Sequence, residues 1–552
     1  MIINTQTKFF AFKSKLTDWL NSNFNDEQSE IKVVFFSYGG VDQRCQVWNT
    51  AAPDRKTVVN RTLKFVEKLY EKNRALPEFL KFDIAANIEK KSWQQVDHDV
   101  NTQPHNNHFR KGISFDSNFE ICFLEQEIYG RALIRGVVYN QPNFWDEKNI
   151  NDTVKLKYPK LNKTFDLKNM SDVWVFDTVA VIYENEQLLT LQSGGTVNGV
   201  RQVDADKKSH ILSIIQKNAE FLHTEIQDDG QFVYGYFPAY NRLIKSYNTI
   251  RHCTSVYSLI ETFEVQPKQE YLPKIQKSIQ YAIDHFYRES ANNVAYMIDG
   301  NDEKAEIKLG ANAAFILMTT KYQEITGDDQ YLKLAENVAL GIKTMINENG
   351  ETQHVWDYPS LELKDKFRIV YYDGESALAL LRLYQINHDE TLLETVKLMF
   401  ENFITQKYEK YHDHWLSYCV NELTKICPEE KYFQFGLNNY LKHMTFIKER
   451  KTAYATFLEL MMSAYKMVNR LKELGHDSLL DQARFEELKE LIELRTEYQR
   501  TGFFYPEVAM YMGHPVKILN AFYVRHDRFR TRIDDQEHNL SGYVAYVNYF
   551  ES

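Results

Sequence analysis

The sequence predicts a mainly α-helical chain: six helical hairpins closed into an (α/α)6 toroid, with a smaller N-terminal α/β (or α+β) domain before them. Three observations carry that expectation. Only 21 glycines and 12 prolines occur among 552 residues, about half the usual share, which favours long helices over a sandwich or propeller with a turn roughly every ten residues. From about residue 207 onward the apolar residues recur with helical period. The helices so defined alternate between two kinds, one apolar on a single face and one apolar nearly all round.

The stretch 329–346, DQYLKLAENVALGIKTMI, shows the first kind, with Tyr331, Leu334, Ala335, Val338, Ile342 and Met345 on one stripe and charges opposite. It reads as an outer helix. Just before it, GANAAFILMTTKYQEI (310–325) is apolar on every side through Met318, as an inner helix should be. Inner helices are expected to begin near Arg251, Gly310, Asp373, His412, Thr452 and Asp534, and outer helices near 207–224, 270–288, 329–346, 389–404, 429–446 and 479–499. Strict alternation is what a hairpin that cannot bury its apolar face alone requires, because it must stack on its neighbours. The connections EITGDDQYL, QINHDETLL and KICPEEKYF repeat one design, two acids shortly before an apolar or aromatic pair, and acids suit a helix N-terminus.

Residues 1–200 read as the N-terminal domain and 201–552 as the toroid. In the former, helices are expected near 8–24 and 55–74, and strands at IKVVFFSY (31–38), FLKFDIAANI (79–88) and SDVWVFDTVAVIYE (171–184). The polar run SWQQVDHDVNTQPHNNHFRKG is expected to be a long loop.

The net charge of −10 comes without a long single-sign run, which argues against nucleic acid or an anionic membrane surface as a partner. No signal-like or membrane-spanning apolar run is evident, so the expectation is a cytoplasmic protein. Five scattered cysteines without a C-x-x-C pair exclude a disulfide framework or zinc knuckle. Phosphate-loop, dinucleotide and nucleophile-elbow motifs are missing. No cofactor is expected. A metal reading has two footholds, His412-x-His414 and the trio His98, His105 and His108. Neither has helical ligand spacing, so no metal is expected.

In a toroid the inner helices run parallel and their N-termini meet at one mouth. That geometry gathers Arg251, His252, Lys308, Asn312, Tyr371, Tyr372, Asp373, Glu375, His412, Asp413, His414, Trp415, Arg450, Arg532, Asp534, Asp535 and His538 into one candidate site. The helix ends add partial positive charge. Asp373, Asp413 and Asp534 taken singly also fit as caps or first-turn acids, Arg251 with Asp534 as an ion pair, and the histidines as core residues. Two long aromatic connections, 227–252 and 352–372, lie at the same rim. Tyr236 in the first of them is a candidate sugar-stacking ring.

The three connections, with YYDGESALALLRLY and HDHWLSYCVNEL, resemble the six-hairpin toroid superfamily over about residues 207–552. That superfamily includes many glycoside hydrolases, the acylglucosamine 2-epimerase group and several polysaccharide lyases. The resemblance implies a carbohydrate-active enzyme hydrolysing an oligosaccharide or polysaccharide with a carboxylate pair. Glu375 and Asp413 are the first choice for the pair, with Asp373, Asp534 and Asp535 as substitutes. Tyr372, Trp415 and Tyr236 would stack on sugar rings. Arg251, Lys308, Arg450 and Arg532 would hold an anionic group, which points to an anionic glycan of cell-surface polysaccharide metabolism. The second reading is a sugar epimerase or isomerase with His252 and either His414 or His538 as base and acid. A third is a non-catalytic glycan- or protein-binding scaffold, with the N-terminal domain as the partner-binding part.

Overall fold

The computed structural model describes residues 2–24, 30–105, 107–136, 142–203, 206–301 and 304–550, in two compact units. The first unit comprises 1–205, 236–244 and 501–531; the second comprises 206–235, 245–500 and 532–552. The two late segments that cluster with the first unit lie inside the span that the sequence assigns to the toroid.

In the first unit an antiparallel sheet is built from β1 (Lys32–Gly39), β2 (Gln46–Ala52), β3 (Phe79–Ser92), β4 (Gly112–Ser114), β5 (Cys122–Phe123), β6 (Asp172–Glu184) and β7 (Gln187–Leu191). The order is β2-β1-β3-β6-β4-β5, and β7 pairs with the C-terminal half of β6. Val34 and Phe36 of β1 and Leu80, Phe82 and Ile84 of β3 point to one face. There they pack against helices Ile2–Asn23 and Arg55–Asn73 through Phe12, Leu16, Val58 and Val66. Val33, Phe35 and Phe79 point the other way, onto Met510 and Tyr511 of the late segment. An antiparallel sheet with its two long helices on one face is an α+β arrangement.

The expected loop after β3 is partly helical. Trp93–Asn101 forms a helix whose N-cap, Ser92, accepts a hydrogen bond from Gln95 N at 3.2 Å. Trp93, Val96 and Val100 form its buried stripe. That i, i+3, i+7 spacing is hidden by the polar residues between them.

Among the described residues the second unit is built on twelve alternating helices, with the short helix Met444–Glu449, short strands and turns between them. Outer helices are α1 (Lys207–Thr224), α3 (Leu272–Phe286), α5 (Leu332–Thr344), α7 (Glu390–Thr405), α9 (Glu430–Leu441) and α11 (Gln482–Arg500). Inner helices are α2 (Thr249–Glu261), α4 (Leu309–Thr326), α6 (Tyr371–Asn387), α8 (His414–Ile426), α10 (Thr456–Glu473) and α12 (Ile533–Tyr549). Each inner helix packs on the next, and α12 returns to α2, which closes the ring. This is the (α/α)6 toroid. Burial follows the pattern of the sequence: Leu309 to Tyr322 of α4 are all buried, whereas α5 buries Ala335, Val338, Ala339 and Ile342 along one side.

Of the acids in the connections, Asp389 caps its helix, Asp328 holds the turn just before α5, and Glu429 stands at the N-cap of α9 without a side-chain cap bond. Asp389 accepts from Thr391 N at 3.0 Å, and Asp328 accepts from Gln330 N at 3.1 Å. Between inner helices, Gly374 permits close approach of α6 to α8: a Cβ there would collide with the Asp413 carboxylate and with Leu416 N, 2.6 Å away. The connection 352–372 is less open than expected. Val355–Tyr358 and Leu363–Asp365 join Tyr287–Glu289, Ala295–Asp299 and Ala305–Lys308 in a five-stranded antiparallel sheet. Among the described residues no helix is long and apolar enough to cross a membrane.

Candidate active-site cavity

Five inner-helix N-termini of the second unit surround a cavity of about 290 Å³. Arg251 comes from α2, Lys308 from the residue before α4, Tyr372 and Glu375 from α6, Trp415 from α8, and Asp534 and His538 from α12. Asp299, Tyr371 and Glu537 also reach it. Convergence of the inner-helix starts therefore brings together residues up to 290 positions apart, from Asn248 to His538.

Glu375 is buried, and its Oε2 has no hydrogen-bond partner. Burial pushes its carboxyl up to about 8; the charge of His538 opposes that shift and Asp373 adds to it. At neutral pH this side chain is a protonated acid facing the cavity. Gly310 makes room for it, because a Cβ at that position would run into Glu375 Oε2 and the Tyr372 ring. Asp534 is bound differently. Its Oδ2 lies 2.9 Å from Arg251 Nε and 2.7 Å from Arg532 Nη2, while its buried Oδ1 has no partner. Asp534 sits in the first turn of α12, where the helix dipole favours a carboxylate.

His538 is held by two carboxylates, with Nδ1 2.9 Å from Glu459 Oε2 and 3.3 Å from Glu537 Oε1. Burial disfavours its charged form, but Glu537 and Glu459 outweigh it and raise the imidazole to about 10. His414 touches it edge-on, with ring centroids 5.3 Å apart. Burial holds the His414 imidazole well below its usual value, hence neutral, and its Nε2 is unpartnered.

Several expected site residues serve the fold instead. Asp413 is fully buried as the N-cap of α8 and accepts from Trp415 N at 3.0 Å and Leu416 N at 3.1 Å. It does not line the cavity. Asp373 is buried behind it, bonded to the Thr352 hydroxyl and, at 3.1 Å, to His354 Nε2. His252 has both ring nitrogens engaged, Nδ1 with the Tyr247 hydroxyl at 2.7 Å and Nε2 with the Ser278 carbonyl at 2.8 Å. His412 bonds through Nδ1 to Asn439 O at 2.7 Å and stacks on His443. Arg450 donates to Thr452 Oγ1 at 2.7 Å and lies over the Phe446 and Tyr454 rings, outside the cavity lining. Asp535 pairs with Arg532, and neither lines the cavity. Tyr236 belongs to the first unit, paired with Leu243.

The cations at the mouth are also internally matched. Lys308 lies 2.5 Å from Asp299 Oδ2 and 3.4 Å from Glu306 Oε2, and Arg251 and Arg532 share Asp534. They do not form the cluster of uncompensated charge that an anionic glycan would need. Sequence reasoning missed Glu459 and Glu537. The available signal for Glu459 was a single acid inside the otherwise apolar run FLELMM of an inner helix, since a buried lone carboxylate there has to be paired.

The N-cap reading of Asp413 makes a prediction that separates it from catalysis. Asn caps a helix as well as Asp does, so Asp413→Asn is expected to leave turnover within a few-fold of wild type. Asp413→Ala is expected to cost about 1–2 kcal/mol of stability for the lost cap, seen as a lower midpoint in urea titration. A large activity loss in the folded Asn variant would return Asp413 to the chemistry.

No protein-family model and no curated protein matches this chain. Solved structures are similar to it at low identity. A D-mannose isomerase aligns at 11% identity over 63% of this chain and 99% of that one, with a TM-score of 0.47. Cellobiose 2-epimerase from Bacillus thermoamylovorans B4167 aligns at 13% over 61% and 99%, with a TM-score of 0.46. An inactive variant of the α-1,6-mannanase GH76A of Salegentibacter sp. HEL1_6, in complex with α-1,6-mannotetrose, aligns at 13% over 62% and 99%, with a TM-score of 0.41. The likeness is one of fold, and the (α/α)6 toroid itself rests on the closed ring of inner helices.

Proposed function

We propose that the second unit is a carbohydrate-active enzyme that hydrolyses a glycosidic bond at a neutral sugar, with Glu375 as proton donor and Asp534 as the opposing carboxylate. The observation that carries this reading is a pair of buried oxygens without a hydrogen-bond partner, Glu375 Oε2 and Asp534 Oδ1, on two residues that line the same cavity. Buried polar atoms are nearly always paired, so two oxygens left open around a cavity call for a ligand rich in donors. A sugar ring carries hydroxyls in every direction and is such a ligand. Trp415 and Tyr372 supply the flat faces that its C–H surfaces need. A volume of about 290 Å³ is at the lower end for a ligand site and suits one ring better than a stretch of polymer.

The division of labour follows from protonation. Glu375 carries a proton at neutral pH and can give it to a leaving oxygen; Asp534, clamped through one oxygen by two arginines, keeps the other for water or for the anomeric carbon. Epimerisation by two histidines fits less well. His252 has no free ring nitrogen, and His414 and His538 are in contact with each other, which leaves no space for a sugar between them. Pairing of Arg251, Lys308 and Arg532 with carboxylates likewise favours neutral over anionic substrates.

The test is turnover of a panel of neutral and uronic-acid disaccharides in heavy water, followed by NMR. The expected result is release of a free neutral sugar with no deuterium at carbon. Deuterium entering a C–H position with the glycosidic bond intact would replace hydrolysis by epimerisation, and saturable binding with no turnover would leave a binding protein.

A further inference from the structure

We propose that His414, Glu459 and His538 bind one divalent transition-metal ion, of which Zn2+ best matches the donors, against the wall of the cavity. The three side chains come from three successive inner helices, α8, α10 and α12, and offer one ligand atom each within 4.8 Å of one another. Two imidazoles with one carboxylate form a donor set that suits zinc and its neighbours, whereas calcium and magnesium favour oxygen alone.

A second observation points to a ligand. His414 is 2% exposed, and its Nε2 has no hydrogen-bond partner. The ring is fixed by contacts with Tyr371, Trp415 and His538. A buried imidazole nitrogen with nothing to bond is costly unless something occupies the space in front of it. Glu459 is itself oriented from behind, since the Tyr418 hydroxyl donates to its Oε1 at 3.1 Å. Such a backing hydrogen bond is common for metal-bound carboxylates. Glu537 also reaches this group, with Oε1 3.3 Å from His538 Nδ1. Metal–donor distances of 2.0–2.2 Å bring tetrahedral ligands to within about 3.4 Å of one another. Glu459 Oε2 and His538 Nδ1 are already 2.9 Å apart, so occupation exchanges their hydrogen bond for bonds to the ion and brings His414 closer by side-chain rotation. Three protein ligands leave a fourth position free, and one of the three, His538, lines the cavity. The site is thus of the open kind, and a water or a substrate hydroxyl would complete it.

This inference is independent of the sugar reading, because its readout is metal uptake. The full chain, stripped with a chelator and shown to be folded by circular dichroism, is titrated with Co2+ and with Zn2+. One equivalent of Co2+ is expected to give the intense visible absorption of a four-coordinate ion, and one equivalent of Zn2+ is expected to abolish it. His414→Gln and Glu459→Gln are each expected to weaken uptake at least about 100-fold. A second histidine group, His105, His108 and His526, lies in the first unit, so His108→Gln serves as the control and is expected to change nothing. Folded wild-type protein that takes up neither ion overturns the proposal. So does uptake that is lost in His108→Gln and kept in the other two variants. Where a cavity variant fails to fold, the wild-type titration and the His108→Gln control still decide the matter.

Discussion

Glu375→Gln is expected to abolish turnover and at the same time to stabilise the protein. Removing a general acid costs about 10²–10⁴-fold in rate, and the loss should depend on the leaving group. A sugar alcohol must be protonated as it leaves, so its hydrolysis suffers in full; an aryl leaving group that departs as a stable phenolate suffers much less. The stability effect has a sign that can be worked out. Burial raises the Glu375 carboxyl from 4.5 to about 8, so between those pH values the unfolded chain ionises while the folded chain keeps its proton. The unfolded state then binds fewer protons, and stability falls as pH rises across that window. The ceiling on this cost is roughly 5 kcal/mol, from 1.36 kcal/mol per pH unit. Gln cannot ionise and escapes it. Melting midpoints of the two proteins are therefore expected to lie close at pH 4.5 and to diverge by pH 8, with the variant higher. In the wild type, activity should fall above about pH 8 as Glu375 loses its proton. Parallel melting curves across that range would mean that Glu375 ionises normally, and the assignment of the proton donor would fail with it.

The toroid was legible in the sequence because its determinants are local. An outer helix has to be apolar on one stripe and an inner helix on all sides, and both patterns are written within eighteen residues. The starts of α1, α4 and α12 fall within one residue of their expected places, and the end of α4 is marked by Gly327 in the left-handed conformation at φ 75°. The start of α8 falls at His414 because Asp413, whose side chain caps the first free N–H groups, cannot also be inside the helix. The site was legible only as a neighbourhood. That Glu375 faces the cavity and Asp413 does not is decided by two residues of helical rotation at each N-terminus. That the arginines and Lys308 are spoken for depends on partners such as Asp534, 283 positions from Arg251. No local pattern encodes such a pairing.

The same limit explains the division of the chain, and it leads to the second large effect. Segment 501–531 follows a toroid helix directly and reads as its continuation, yet it belongs to the first unit. What ties it there is Glu507, fully buried, which receives Arg201 Nε at 2.9 Å, Arg201 Nη2 at 2.7 Å and the Arg201 backbone N–H at 3.2 Å. The guanidinium also meets Glu184 at the end of β6 at 2.6 Å and lies 4.6 Å over the Tyr505 ring. A charge pair taken out of water this completely is destabilising to break, because removal of one partner strands the other. Glu507→Ala is expected to cost about 3–5 kcal/mol, whereas Glu184→Ala, at a quarter-exposed position, is expected to cost no more than about 1 kcal/mol. The readout is amide hydrogen exchange in β6, β7 and residues 503–523, where protection should fall sharply in Glu507→Ala. Replacing both partners, Arg201→Met with Glu507→Leu, removes the stranded charge along with the attraction and is expected to recover most of the loss. If the double variant is as unstable as Glu507→Ala, the cost lies in packing around Tyr505 and not in the buried charge.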